Sequence, residues 1–139
     1  MTPTFDTPFC RLVGIPYPIV QAPIGGLATP ELAAAVSEAG GLGMLSLTWS
    51  EPDEIEAAFA RMRDLTDRPF GVNLILEWPQ EERLRQCLDA GARIVSFFWG
   101  DPAPFVPIAH EAGAIVLHTV GSATEARRVV DAGVDAVVA

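Results

Sequence analysis

The sequence has 139 residues, a length that fits one domain or part of a larger protein. Half of the residues are hydrophobic, so the chain can bury a sizeable core, and the net charge is −9. All nine basic residues are arginines, and the pattern shows no basic cluster beyond pairs such as Arg127 and Arg128. This composition argues against nucleic-acid binding. No apolar run is long enough to cross a membrane.

The amino terminus lacks the basic start and apolar core of a signal peptide. Cys10 and Cys87 are too few for a disulfide framework, and neither has a CxxC partner. We therefore expect a cytoplasmic protein without a bound metal.

Residues 1–17 are proline-containing and have no clear periodicity, so they are predicted to form an irregular amino-terminal arm. Its apolar side chains are expected to pack against the body of the fold, across the bottom of a barrel. These residues are Phe9, Leu12, Val13 and Ile15.

Residues 18–139 alternate between apolar strand patterns and amphipathic helix patterns. Six strands are predicted, over residues 19–22, 42–47, 70–76, 94–98, 115–119 and 136–139. Five helices are predicted between them, starting at Thr29–Pro30, near Ser50, at Pro79, after Asp101–Pro102 and at Ser122. Two of these starts have the pattern of a capping box, formed by Ser50 with Asp53 and by Ser122 with Glu125. The first is expected to bury Leu32, Val36 and Ala39, and the last Ala126, Val129 and Val130.

An acid-Ala-Gly triplet ends four helical patterns, at residues 38–40, 89–91, 111–113 and 131–133. Each precedes an apolar strand, as expected where a glycine terminates a helix. Strands that are apolar on both faces are typical of parallel sheets. A doubly wound sheet and a (β/α)8 barrel both fit this pattern.

We favour the amino-terminal part of a (β/α)8 TIM barrel, an α/β fold, because the chain ends within a strand and six strands are two short of a barrel. Such a piece leaves a strand edge unpaired. We therefore expect it to be marginally stable and to aggregate or self-associate as a homo-oligomer unless a partner completes it.

The stretch 17–26, Tyr-Pro-Ile-Val-Gln-Ala-Pro-Ile-Gly-Gly, is predicted to end a strand in a glycine turn. Ligands of parallel α/β folds bind at that end of the sheet, but a glycine pair also serves simply to shape a connection. Asn73 lies in an apolar strand, so its amide either bonds neighbouring backbone or points at a ligand. His118 lies near a strand end, where a lone histidine is more often structural than catalytic. Trp49 and Trp99 follow strands and are candidates to wall a pocket.

Five motifs in this order resemble the nitronate monooxygenase family, once grouped as 2-nitropropane dioxygenases. They are the 17–26 stretch, Glu-Ala-Gly-Gly-Leu-Gly, Pro-Phe-Gly-Val-Asn-Leu, Val-Ser-Phe-Phe-Trp-Gly and Asp-Ala-Gly-Val-Asp-Ala-Val-Val-Ala. The resemblance implies an FMN-dependent TIM-barrel enzyme that oxidises alkyl nitronates or nitroalkanes with O2 to carbonyl compounds and nitrite. It covers nearly the whole chain, from Cys10 to Ala139.

The resemblance also implies which residues contact the flavin: Ala22, Pro23, Ile24, Gly25, Asn73, His118 and Thr119. Ile24 replaces the methionine that is usual in the family, and Thr119 stands where some members carry lysine. The catalytic histidine and the phosphate-binding loops of the family fall after Ala139, so no catalytic residue is assigned to this chain. By itself the chain is expected neither to turn over substrate nor to hold FMN tightly.

Two other interpretations stay open. A flavin-dependent enoyl-[acyl-carrier-protein] reductase shares the Ala-Pro-x-Gly-Gly and asparagine features. A non-catalytic half-barrel would act only as an assembly or binding module.

Overall fold

The computed structural model describes residues 5–139, and within them a parallel sheet is flanked by helices. The helices are α1 (Pro8–Val13), α2 (Pro30–Glu38), α3 (Pro52–Leu65), α4 (Glu81–Asp89), α5 (Val106–Glu111) and α6 (Ala123–Asp131). The strands are β1 (Gly43–Ser46), β2 (Phe70–Ile75), β3 (Ile94–Phe98), β4 (Ile115–Thr119) and β5 (Ala136–Val138). The strand order is β1-β2-β3-β4-β5, and every pairing is parallel.

This order is that of consecutive β/α units, as in part of a TIM barrel, and the predicted α/β class is confirmed. The four glycines of the acid-Ala-Gly repeat have φ values between 75° and 110°, so each ends its helix in the left-handed conformation. The four predicted glycine helix ends are therefore confirmed.

The sheet has two buried faces. The outer face packs on helices α2 to α6, and its core residues include Leu45, Val72, Val95 and Val116. The inner face packs Leu42, Met44, Ile94 and Leu117 against the amino-terminal arm. No helix of residues 5–139 combines the length and apolarity that a membrane crossing needs.

The arm was expected to be irregular, and that expectation is wrong for its middle: α1 begins after Thr7, whose hydroxyl accepts a hydrogen bond from the Cys10 N–H at 3.1 Å. Val13 and Ile15 are buried in the inner-face cluster as predicted, but Leu12 is exposed. Residues 1–4 of the predicted arm lie outside the described residues.

The predicted first strand shortens to a single parallel bridge between Val20 and Leu42. The Gln21 N–H still donates to the Leu42 carbonyl at 3.0 Å, but the chain then leaves the sheet. From that point the Gln21 side-chain amide replaces the backbone, donating to the Met44 carbonyl at 3.1 Å and accepting from the Met44 N–H at 3.3 Å. A side-chain amide has the same donor and acceptor as a peptide group, so it completes the edge without a strand.

The predicted buried face of the first long helix is also wrong, because Leu32 is exposed and Ala33, Ala34 and Ser37 face the sheet. The cause is Gly43: a Cβ there would lie 1.9 Å from the Ala33 carbonyl oxygen. Helix α2 therefore packs with its backbone against β1, which only small residues allow. On α6, Val129 is buried as predicted but Val130 is exposed.

Three helix starts differ from the sequence prediction. Helix α3 is capped by Glu51 and Glu54 rather than by Ser50 and Asp53. Helices α4 and α5 begin later than predicted, at Glu81 and Val106. At α6 the Ser122 hydroxyl accepts from the Glu125 N–H as predicted, but the Glu125 carboxylate accepts from the Gly121 N–H instead of closing the box.

Candidate functional site

A row of polar side chains crosses the inner face of the sheet near the carboxyl ends of the strands. The pairing register aligns Ser46 with Asn73, and Asn73 with Ser96. Ser96 aligns in turn with Leu117, which packs in the inner-face cluster, so the row points inward. Two residues earlier along each strand the inner face is apolar, and the side chains of Met44 and Ile94 cover Gly71. The row is therefore the point where the inner face changes from core to binding surface.

The three side chains of this polar row, Ser46, Asn73 and Ser96, make no hydrogen bond to any other residue within 5–139. Asn73 is only 4% exposed and Ser96 is 6% exposed. Among the described residues only the two ring nitrogens of His118 are buried without a partner, so the polar atoms of Asn73 and Ser96 are accessible at the open inner face. Of the two roles considered for Asn73, bonding to neighbouring backbone is thus not what the structure shows. The row offers free donors and acceptors to a ligand.

The glycine loop, residues 22–26, lies beside this row. Ala22, Ile24 and Gly25 are exposed, and Pro23 is half-buried. Gly26 has a φ of 75°, which a glycine adopts without strain. Gly25 does not have positive φ, and a Cβ built on it would lie 3.9 Å from the Ser46 hydroxyl and 3.4 Å from the Trp49 ring. The fold therefore has room for a side chain at Gly25. Because glycine has no side chain, the surface next to Ser46 stays open.

Thr119 lies on the same face of the sheet. It is two residues nearer the carboxyl end of β4 than Leu117, which aligns with Ser96 of the polar row. It aligns with Phe98, which aligns with Ile75. Thr119 is half-buried. The structure therefore brings the glycine loop, Asn73 and Thr119 to one inner, carboxyl-terminal surface.

His118 points the other way. It follows Leu117 of the inner face, aligns with Phe97 of the outer core, and is fully buried. Neither ring nitrogen has a hydrogen-bond partner among the described residues. Burial lowers the pKa of His118, opposed by the charge of Glu125. The imidazole is therefore neutral at pH 7 and is not brought to the polar row.

Several residues of the region gave no specific signal in the sequence. The Thr48 hydroxyl accepts a hydrogen bond from the Ile75 N–H at 3.0 Å and so extends the β1–β2 pairing by a side chain. Gln80, which is buried, donates to the Thr48 carbonyl at 3.2 Å, and Arg83 donates to the Ser50 carbonyl at 2.8 Å. This network fixes the loop after β1 to the start of α4. Only the buried polar character of Gln80 could have indicated it.

All three tryptophans of the chain follow strands at the same end. Trp49 and Trp78 meet edge to face with ring centroids 5.5 Å apart. Trp99 stacks on Phe98 at 4.6 Å. Each tryptophan is about half exposed, between 45% and 59%. Trp78 was not singled out by the sequence.

These groups suit a flat ligand with hydrogen-bonding edges. The polar row supplies hydroxyl and amide groups, the glycine loop leaves space above Ser46, and tryptophan rings border the surface. The isoalloxazine of a flavin has these properties, so the residues present fit the cofactor that the family resemblance implies. Ser, Asn and Thr side chains bind and orient such a group rather than exchange protons with substrate near pH 7.

A sequence profile of the nitronate monooxygenase family matches residues 6–83, more than half of the chain. A nitronate monooxygenase of Pseudomonas aeruginosa is 44% identical over 97 residues, which are 68% of this chain and 28% of that protein. The (3aS,4S,5R,7aS)-5-hydroxy-7a-methyl-1-oxo-octahydro-1H-indene-4-carboxyl-CoA dehydrogenase of Mycobacterium tuberculosis is 35% identical over 133 residues, or 95% of this chain and 38% of that protein.

Among solved structures, FabK from Thermotoga maritima superimposes with a TM-score of 0.93 at 39% identity, covering 98% of this chain and 44% of FabK. The chain thus spans less than half the length of each of these three proteins. Together with the parallel β/α architecture, the profile match shows that the chain belongs to the nitronate monooxygenase family, a family of flavin-type oxidoreductases.

Proposed function

We propose that this chain forms the part of an FMN-dependent oxidoreductase that faces the flavin ring, and that the whole enzyme oxidises alkyl nitronates or nitroalkanes with O2 to a carbonyl compound and nitrite. The observation that carries the proposal is the unpartnered polar row beside the glycine loop. The profile match and the Pseudomonas relative support the reaction class.

In this proposal the backbone and side chains of residues 22–25 border the flavin, and Asn73 and Thr119 bind its polar edge. FMN supplies the electron transfer when bound. His118 lies behind β4, so we assign it the role of holding Thr119 in place rather than of touching the cofactor. The resemblance implies a base that removes the substrate's α-proton. In proteins of the family this base lies in the part of the sequence that this chain does not cover.

One feature supports a cytoplasmic location for the enzyme: Cys10 and Cys87 are both free and buried. Unpaired cysteines are usual in a reducing compartment.

A flavin-dependent enoyl-thioester reductase is the second candidate. The Mycobacterium relative is named for a carboxyl-CoA substrate, which favours thioester chemistry for some members with this fold. The two candidates differ in what reduces the flavin: the nitronate itself in the first, and NAD(P)H in the second.

The test uses the protein encoded by the complete reading frame. We expect a flavin absorption spectrum that is bleached anaerobically by a nitronate, and nitrite formation when O2 is admitted. Bleaching by NADH with turnover of an enoyl thioester would move the assignment to the second candidate. A colourless, folded oligomer would instead support the non-catalytic half-barrel.

A further inference from the structure

The backbone of Trp99 is unusual. It is the one described residue other than glycine with positive φ, at 56°. A bulky aromatic residue in this conformation is strained, and such strain persists only where the surrounding structure enforces it. Backbone strain of this kind is common at ligand-binding sites.

The strain redirects the Trp99 ring. Side chains alternate between the two faces of a strand, so Trp99 would point away from Phe98 if β3 continued. Positive φ instead brings its ring onto Phe98, at an interplanar angle of 27°. Phe98 aligns with Thr119 on the inner face. Gly100 secures the turn, because a Cβ there would lie 2.6 Å from the Leu76 Cβ.

The other two tryptophans are fixed as well. Trp49 lies between Thr48 and Ser50, whose carbonyls accept hydrogen bonds from Gln80 and Arg83. Arg83 also donates to the Gln80 side-chain oxygen at 3.0 Å. Trp78 packs on Trp49 immediately before this network. The backbone on both sides of Trp49 is therefore fixed and its ring packs on Trp78, which limits the entropy that these two rings lose on binding.

We propose that Trp49, Trp78 and Trp99 form an aromatic wall at the mouth of the site, and that this wall selects nitronates with an extended apolar chain over short ones. The inference rests on the proposed function, since it names the substrate class. Half-exposed tryptophans grouped at one end of the sheet, with Ile24 56% and Leu27 66% exposed nearby, are an apolar surface that a short nitronate leaves uncovered.

The experiment measures kcat/KM of the full-length holoenzyme for alkyl nitronates from about three to about eight carbons. Complete burial of a methylene is worth about fourfold in binding, so contact with the half-exposed wall is expected to raise kcat/KM about two- to fourfold per carbon. Trp99→Ala and Trp78→Ala should flatten this slope, so that the ratio of kcat/KM for the longest nitronate to kcat/KM for the shortest falls toward one. Phe5→Ala is the matched control, because Phe5 is 53% exposed and packs edge to face on Tyr17, outside the wall.

A second readout does not need turnover. Alkyl carboxylates share the planar, two-oxygen anion of a nitronate, and calorimetry measures their affinity along the same chain-length series. Chain-length dependence of carboxylate binding that the tryptophan variants lose supports the wall, even if no nitronate is oxidised and the proposed function fails. Oxidation of nitronates with no chain-length dependence overturns the wall and leaves the proposed function intact. Equal losses for short and long chains in the variants also overturn it.

Discussion

Gly25 is expected to be needed for ligand access and not for packing of the fold. The substitution Gly25→Ala tests this expectation. A methyl group at Gly25 meets only ordinary van der Waals contacts, at 3.4 Å from the Trp49 ring and 3.9 Å from the Ser46 hydroxyl. The backbone at Gly25 is also not in the left-handed region. Alanine is therefore compatible with the folded conformation.

The expected magnitudes follow from these contacts. Replacing a glycine whose conformation suits alanine changes stability by about 0.4–1 kcal/mol in the favourable direction, because the unfolded chain loses freedom. The same methyl group fills the space next to Ser46 where we place the flavin. We expect at least about tenfold weaker FMN binding, which corresponds to about 1.4 kcal/mol.

The assay compares the apoproteins of the full-length variants by urea unfolding, and their FMN affinity by quenching of flavin fluorescence. Gly43→Ala is the matched control: its methyl would lie 1.9 Å from the Ala33 carbonyl oxygen, so α2 must move and stability should fall by about 3 kcal/mol. Unchanged FMN affinity in Gly25→Ala would refute the placement of the flavin beside this loop. A large loss of apoprotein stability would refute the reading of Gly25 as structurally dispensable.

Two further predictions concern stability. His118 has an ordinary pKa of 6.5, which burial lowers in the folded state. The unfolded chain therefore binds more protons in mild acid, and the free energy of unfolding should fall as the pH drops below about 6.5. His118→Leu should reduce this dependence in urea unfolding, and an unchanged pH profile would count against a buried neutral imidazole. Thr48→Val removes the acceptor of the Ile75 N–H and should lower the free energy of unfolding by about 1–3 kcal/mol. Thr119→Val is the control and should lower it little, because the Thr119 hydroxyl makes no hydrogen bond within residues 5–139. Equal losses in the two variants would contradict the assigned role of Thr48.

The order of strands and helices could be predicted because it depends on local patterns. Each acid-Ala-Gly triplet marks a helix end that needs the left-handed conformation of glycine, and each is followed by a mainly apolar strand. These signals lie within a few residues of the feature they specify. The class of fold followed from them without any knowledge of packing.

The errors arose where a distant residue determines the local structure. Helix α2 turns Ala33 rather than Leu32 toward the sheet because Gly43, ten residues later, lets the two backbones meet. The first strand shortens to one bridge because the Gln21 side chain replaces backbone pairing at Met44. Neither effect has a periodic signature.

The candidate site was predictable only in part for the same reason. The glycine loop and Asn73 stood out as an exposed turn and as a polar residue in an apolar strand. That Ser46 and Ser96 join Asn73 in one row depends on the register of three strands. The outward face of His118 depends on strand alternation relative to Leu117, which becomes clear only once the inner face is known.

The most direct test of the account is the FMN dissociation constant of the full-length protein compared with that of Asn73→Ala. Because the Asn73 amide has no hydrogen bond within residues 5–139, its removal should leave apoprotein stability within about 0.5 kcal/mol of wild type. The dissociation constant should rise at least about tenfold, the equivalent of about 1.4 kcal/mol. An unchanged dissociation constant would contradict the claim that the polar row binds the flavin.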